Sequence, residues 1–155
     1  MPYGDELVWV GSTGLVYTLP SYRIAGLYAP ANGEVSTPSF VVPSGRPLWI
    51  NAAAKWKGHE VTGGCDEGCD ACVLVAVLDA ATGAEVEGYG MKDVVAMADI
   101  DGLRLVLQWK GSGSAVVNST ALAGRQVRLR IYFRDATVFA VGCRGQLTGR
   151  VKYKL

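Results

Sequence analysis

Four cysteines carry the sharpest chemical pattern in this chain. Three of them, Cys65, Cys69 and Cys72, crowd into one acidic, glycine-bearing segment, while Cys143 lies far away. Cys-x3-Cys-x2-Cys is ligand-like spacing, and thiolates held this close suit a tetrahedral zinc ion. A zinc ribbon, however, carries two Cys-x2-Cys pairs, and only one is present. An even cysteine count in a small domain is also what a disulfide framework looks like. Four reduced thiols, with Cys143 buried, make the third reading. Oxidation is the expectation among the three, with Cys65, Cys69, Cys72 and Cys143 as disulfide candidates.

Carboxylates offer less. Asp99-Ile100-Asp101-Gly102 resembles half of a calcium loop, but the third ligand before the glycine and the closing glutamate are missing. Asp99 and Asp101 are therefore weak metal candidates. A tight turn ahead of the next strand is the simpler use of Asp and Gly there, because both tolerate positive φ. Asp66, Glu67 and Asp70 could also take a cation, although a solvated acidic loop explains them as well. No cofactor is implied, with calcium kept as the alternative.

The single histidine, His59, sits in a polar, glycine-flanked segment, and no Gly-x-Ser-x-Gly nucleophile elbow accompanies it. Catalysis thus has little support, and a non-enzyme is expected.

Aromatic side chains point to another chemistry. The C–H faces of a pyranose stack on indole or phenol rings while neighbouring polar groups orient its hydroxyls. Trp49 and Trp109 sit in apolar strand patterns and are expected in the core. Trp56 breaks that pattern between Lys55 and Lys57, beside Gly58-His59. Trp56, His59 and Tyr89 (which follows Gly88) are the carbohydrate-binding candidates; a Trp56 folded back as a lid is the rival use of the indole. Asn118-Ser119-Thr120 is a glycan-acceptor sequon, which marks its loop as exposed.

The elements that would position these groups read as strands. In Val127, Leu129, Ile131 and Phe133 every second residue is apolar, with Arg128, Arg130, Tyr132 and Arg134 on the other side. That period of two marks a strand with one face on a core. Asp135-Ala136 predicts a turn into Thr137–Val141, making a hairpin. Leu7–Val10, Leu15–Leu19, Tyr22–Tyr28, Ser39–Val42, Leu48–Ala53, Val73–Leu78 and Leu103–Trp109 are further strand candidates. Pro30, Asn32-Gly33, Pro43-Ser44-Gly45 and Ala81-Thr82-Gly83 are the turns between them. Only Met91–Met97 suggests a helical turn. Leu129, Ile131, Phe133, Leu105, Leu107, Val75, Val77 and Ile50 hold the inward phase. The pattern predicts an all-β fold, an antiparallel β-sandwich of jelly-roll-like, carbohydrate-binding-module type. Residues 1–20 form a strand-turn-strand piece or linker, 21–143 the sandwich, and 144–155 a tail or edge strand.

The chain has 155 residues, enough for one domain with a real core. Its 15 basic and 14 acidic residues give a net charge of +1, without the Lys/Arg excess that nucleic-acid phosphates demand. No apolar run approaches the ~20 residues of a membrane-spanning helix. Neither nucleic acid nor a membrane is an expected partner. No charged start with an apolar leader core is visible, so a secretion signal would belong to a longer parent chain or have been removed.

With these segments placed, the chain resembles the β-sandwich module that follows the five-bladed propeller in proteins related to glycoside hydrolase family 32. Arg46-Pro47-Leu48-Trp49-Ile50-Asn51-Ala52 is similar to that family's Gly-Arg-Leu-(apolar)-(apolar)-Asn-(small) strand. Val75–Asp79, Thr82-Gly83 and Gly88-Tyr89 resemble its hairpin. Gln108-Trp109-Lys110-Gly111 and Leu122-Ala123-Gly124-Arg125 through Phe139 resemble its ending. The likeness runs in order over roughly residues 17–141, and Lys55 to Cys72 is an insertion against it. Nothing corresponds to the propeller's catalytic carboxylates. The resemblance implies a secreted or extracellular, non-catalytic carbohydrate-binding module, accessory to or derived from a glycoside hydrolase. Its partners would be a polysaccharide or glycan and a catalytic propeller in a parent protein. A structural or self-associating β-sandwich without sugar binding is the alternative.

Overall fold

A computed structural model describes residues 2–3, 6–10, 16–20, 23, 25–54, 71–111 and 115–143. Within them the chain is antiparallel β, as the alternation predicts. The strands are β1 (Pro2–Tyr3), β2 (Glu6–Val10), β3 (Val16–Pro20), β4 (Leu27–Ser36), β5 (Phe40–Val41), β6 (Leu48–Ala54), β7 (Cys72–Asp79), β8 (Ile100–Val106), β9 (Gln108–Lys110), β10 (Val116–Asn118) and β11 (Gln126–Cys143), with a 3-10 turn at Ser119–Leu122. Strands β1 to β3 form a sheet of their own in that order, and β9 pairs with β10. The remaining strands are organised around β11.

The expected hairpin at Asp135-Ala136 is not formed: β11 runs through it as one strand of 18 residues. The local chemistry is the one expected, and its consequence differs. Asp135 takes a positive φ of 37°, which aspartate tolerates better than most residues. Here that conformation makes a bulge instead of a reversal. Arg134 pairs with Asn32 and Ala136 with Ala29, so Pro30 and Ala31 of β4 stand opposite Asp135 alone. The kink inverts the phase of the strand. Val127, Leu129, Ile131 and Phe133 are buried before it, Ala136 and Val138 after it. A second irregularity between Val138 and Ala140 leaves Phe139 as an extra residue and returns Val141 to the core side.

Asn32-Gly33, also expected to turn, lies inside β4. Glycine is required there by space: a Cβ on Gly33 would stand 2.6 Å from that of Ala29 and 3.1 Å from the Phe133 ring. Pro30, another expected turn residue, occupies the bulge, where its missing N–H costs least.

β11 has both edges filled. β4 and then β5 line one edge, while β6 and β7 share the other. Thr137 faces Ala53 and Arg134 faces Cys72, so β6 and β7 lie end to end along β11. The chain leaves this line after Ala54 and rejoins it at Ala71; residues 55–70, most of the expected insertion, are outside the described residues. β8 extends the sheet beyond β6. The strand it begins breaks at Leu107, and β9 continues to β10.

The core holds the expected residues. Ile50, Val75, Val77, Leu107, Leu129, Ile131 and Phe133 are buried, and Leu105 packs against them. Trp49 and Trp109 are buried as expected, and Trp109 Nε1 donates to the Val75 carbonyl at 3.0 Å. β7 is buried on both faces. Its Ala76 stands beside Arg130, whose guanidinium spans from Glu34 at 3.6 Å to Glu85 at 4.0 Å. A long side chain laid over a small neighbour accounts for burial on the outward side. Met91–Met97 forms no helix: Asp93 and Val94 N–H close a turn onto Gly90 O, and the segment then bridges Val94 to Trp109 and Val73 to Met97.

After β7 the chain turns at Asp79, as expected for Ala81-Thr82-Gly83. Gly83 donates to the Asp79 carbonyl with φ 73°, and Asp79 Oδ1 accepts from the Ala81 and Thr82 amides at 3.0 Å each. The Thr82 amide first, then Ala81, holds the Asp79 carboxyl below the usual aspartate range; the Thr82 hydroxyl and Arg125 add to this. A carboxyl whose folded pKa is depressed stabilises the fold above its unfolded pKa and loses that contribution as pH falls through the folded value. Asp79→Ala should therefore lower the melting temperature at about pH 7 and show a smaller deficit at about pH 2.5, in thermal melts of both proteins. An equal deficit at both pH values would remove the carboxylate from the account of this turn.

Candidate functional site

The sequence candidates separate in the structure. Trp56 and His59 lie outside the described residues, as do Cys65 and Cys69. Tyr89 is not the exposed aromatic that its place after Gly88 suggests. It is half-buried, its ring centroid 5.1 Å from that of Trp109 at an interplanar angle of 60°, and its hydroxyl donates to the Asn118 carbonyl at 3.3 Å. The Tyr89 carbonyl also accepts from the Val77 amide, so the residue fastens the segment after the Asp79 turn onto the core. Cys72 belongs to the buried start of β7 rather than to a surface loop, and among the described residues no disulfide is seen. Cys143 ends β11 opposite Leu48.

Asp99 has the positive φ, 50°, that its turn role predicts. Asp101 is engaged by Arg23 Nη1 at 2.5 Å. Among the described residues no three His, Cys, Asp or Glu side chains gather as a metal site. The sequon is more buried than expected: Ser119 is fully buried and its hydroxyl accepts from the Leu48 amide at 2.7 Å. Asn118 caps the 3-10 turn, its Oδ1 accepting from the Thr120 amide and hydroxyl.

What the structure brings together is a different set, at the bulge between β4 and β11. In the outward phase of β4 and β11 stand Tyr28, Asn32, Tyr132 and Arg134, with Asp135 in the kink itself. Tyr28 is 57% exposed, and its hydroxyl donates to Asp135 Oδ1 at 2.7 Å. The Tyr132 hydroxyl donates to Asn32 Oδ1, also at 2.7 Å. Arg134, directly across from Asn32, is exposed. Two features make this more than a decorated strand. A non-glycine residue at positive φ is a strained position that needs support from its surroundings, and a bulge re-aims the side chains on either side of it. Asp135 accepts from the Tyr28 hydroxyl at this kink, so an exposed phenol carries a hydrogen bond at its tip.

Further along the same face Arg23 forms a clasp. Its Nε donates to Oδ1 of the fully buried Asn51 at 2.9 Å, its guanidinium carbon lies 4.8 Å from the Phe139 ring centroid, and its Nη1 meets Asp101. Phe139 is available because the second irregularity of β11 turns it outward. A hydrogen bond to a buried amide, an ion pair and a cation–π contact converge on one side chain. These groups are committed to one another, so the clasp braces the sheet beside the bulge.

The alternation of β11 places Tyr132 and Arg134 on its outward side but does not bring them to Tyr28 and Asp135. The cue was Asp135 itself, an acidic residue interrupting a regular alternation, which suggests a turn and makes a bulge. Comparison of the chain with protein-family models, with curated proteins and with solved structures finds no match.

Proposed function

We propose that this chain is a secreted, non-catalytic carbohydrate-binding module of β-sandwich architecture, accessory to or derived from a glycoside hydrolase, and that its glycan platform is the bulge face of β4 and β11. One observation carries the reading: Tyr28, an exposed ring whose hydroxyl is tied to Asp135. A sugar ring stacks on an aromatic face and satisfies its hydroxyls on nearby polar groups. A ring already fixed in place loses little conformational freedom when the sugar arrives, which favours binding. Asn32, Tyr132 and Arg134 supply the polar neighbours. The resemblance of the strand and turn motifs to the sandwich of family 32-related proteins supports the same class. Fold resemblance alone would leave the chemistry open, and the face is what makes it specific.

A glycan and polysaccharide array probed with the labelled protein tests the proposal. At least one polysaccharide class should be retained above background. A flat array across plant, bacterial and animal glycans would overturn it and favour a bracing or self-associating module instead.

A further inference from the structure

We infer that the glycan taken at the bulge face is an acidic one, held through a carboxylate by Arg134; this rests on the carbohydrate reading above. At the bulge, Asn32 Oδ1 already accepts the Tyr132 hydroxyl proton, and Asp135 Oδ1 already accepts that of Tyr28. Nearby Glu34 faces Arg130 at 3.6 Å. Asn32 Oδ1 and Asp135 Oδ1 thus each already serve one of the protein's own donors. Both phenols have spent their single donor.

What remains unspent is donor capacity. Arg134 is exposed and has no hydrogen bond or ion pair among the described residues, and Asn32 Nδ2, directly across the strand pair, has none either. An arginine offers a planar fork of N–H groups that matches a carboxylate bidentately, and it cannot give up its charge. A neutral sugar hydroxyl would use this fork poorly, since each hydroxyl also brings a donor that needs an acceptor. A uronate or another carboxylated sugar brings two acceptor oxygens and a charge. With its pyranose ring on Tyr28 or Tyr132, such a sugar would direct its carboxylate to Arg134 and Asn32.

Arg128 provides an internal comparison. It is exposed on the same side of β11 and likewise has no hydrogen bond or ion pair among the described residues. Six residues separate it from Arg134, about 20 Å along an extended strand, so it lies beyond the bulge site. Diffuse attraction of a polyanion would use the two arginines alike, and a built subsite would not.

The test uses polygalacturonate, alginate and hyaluronate, each beside its carboxyl-reduced form, in which the carboxylates have become primary alcohols. Binding to the full chain is measured by affinity electrophoresis and calorimetry at fixed ionic strength. At least one acidic polymer should bind about 10- to 100-fold more tightly than its reduced form, the scale of a charge-assisted hydrogen-bonded contact. Arg134→Gln should erase that difference, while Arg128→Gln should leave most of it. Equal affinity for acidic and reduced forms, or binding to neutral polysaccharides alone, would overturn the acidic assignment and leave the carbohydrate reading standing. Equal losses in the two arginine variants would also overturn it, by showing unspecific charge attraction. Binding to no polymer, acidic or neutral, would overturn both.

Discussion

Trp109→Ala should destabilise the fold by about 3–5 kcal/mol, the range for removing a large aromatic from a packed interior. Trp109 is fully buried and is the largest such side chain among the described residues. Its indole fills the space between β7 and the segment around Tyr89, which rests against it. Its Nε1 also satisfies the Val75 carbonyl, so the alanine leaves both a cavity and an acceptor without its donor. Trp109→Phe separates the two costs, because it keeps most of the volume and loses the hydrogen bond; it should cost about 1–3 kcal/mol. Urea unfolding of the three proteins gives the comparison. A midpoint unchanged in Trp109→Ala would mean that the core between β7 and β9 is not packed as described.

Tyr28→Ala should have the opposite profile. The residue is 57% exposed, so its truncation creates no enclosed cavity, and surface changes of this kind usually alter stability by under about 0.5 kcal/mol. Binding should suffer more. A stacked aromatic contributes about 0.5–1.5 kcal/mol beyond the area it covers, and with that area the loss should reach about tenfold or more in affinity. Tyr28→Phe keeps the face but releases Asp135, and should bind with intermediate affinity if the tethered geometry matters. Affinity electrophoresis with the polysaccharide identified on the array reads the binding, and thermal melts read the stability. Full binding by Tyr28→Ala would remove Tyr28 from the platform, and a large fall in melting temperature would make it a structural residue.

The core was legible in the sequence because alternation is a local property. Leu129, Ile131 and Phe133 announce their burial through their spacing alone, and so do Val75 and Val77. The bulge was not legible. Asp135-Ala136 and Asn32-Gly33 satisfy the local requirements of a turn, and the same positive φ or missing Cβ serves a bulge or a crowded strand equally well. The deciding facts lie far off in the chain: Pro30 and Ala31 opposite Asp135, and Phe133 over Gly33. The candidate site inherits that difficulty, since Tyr28 and Asp135 meet only once β4 has paired with β11. Tyr89 shows the converse. Its glycine-rich surroundings suggest an exposed tip, while Trp109, twenty residues on, draws its ring inward. Position in a polar, glycine-bearing segment thus identifies loops, but it does not tell which aromatic in them will stay open to a ligand.

Chemical-shift mapping of the isotopically labelled protein during titration with a polysaccharide bound on the array would locate the glycan platform residue by residue. Saturable shifts should concentrate at Tyr28, Asn32, Tyr132, Arg134 and Asp135, with the amides of β7 and of the Asp79 turn undisturbed. Shifts centred on another part of the chain, such as Trp56 and His59, or no saturable shift at the bulge face, would contradict that placement.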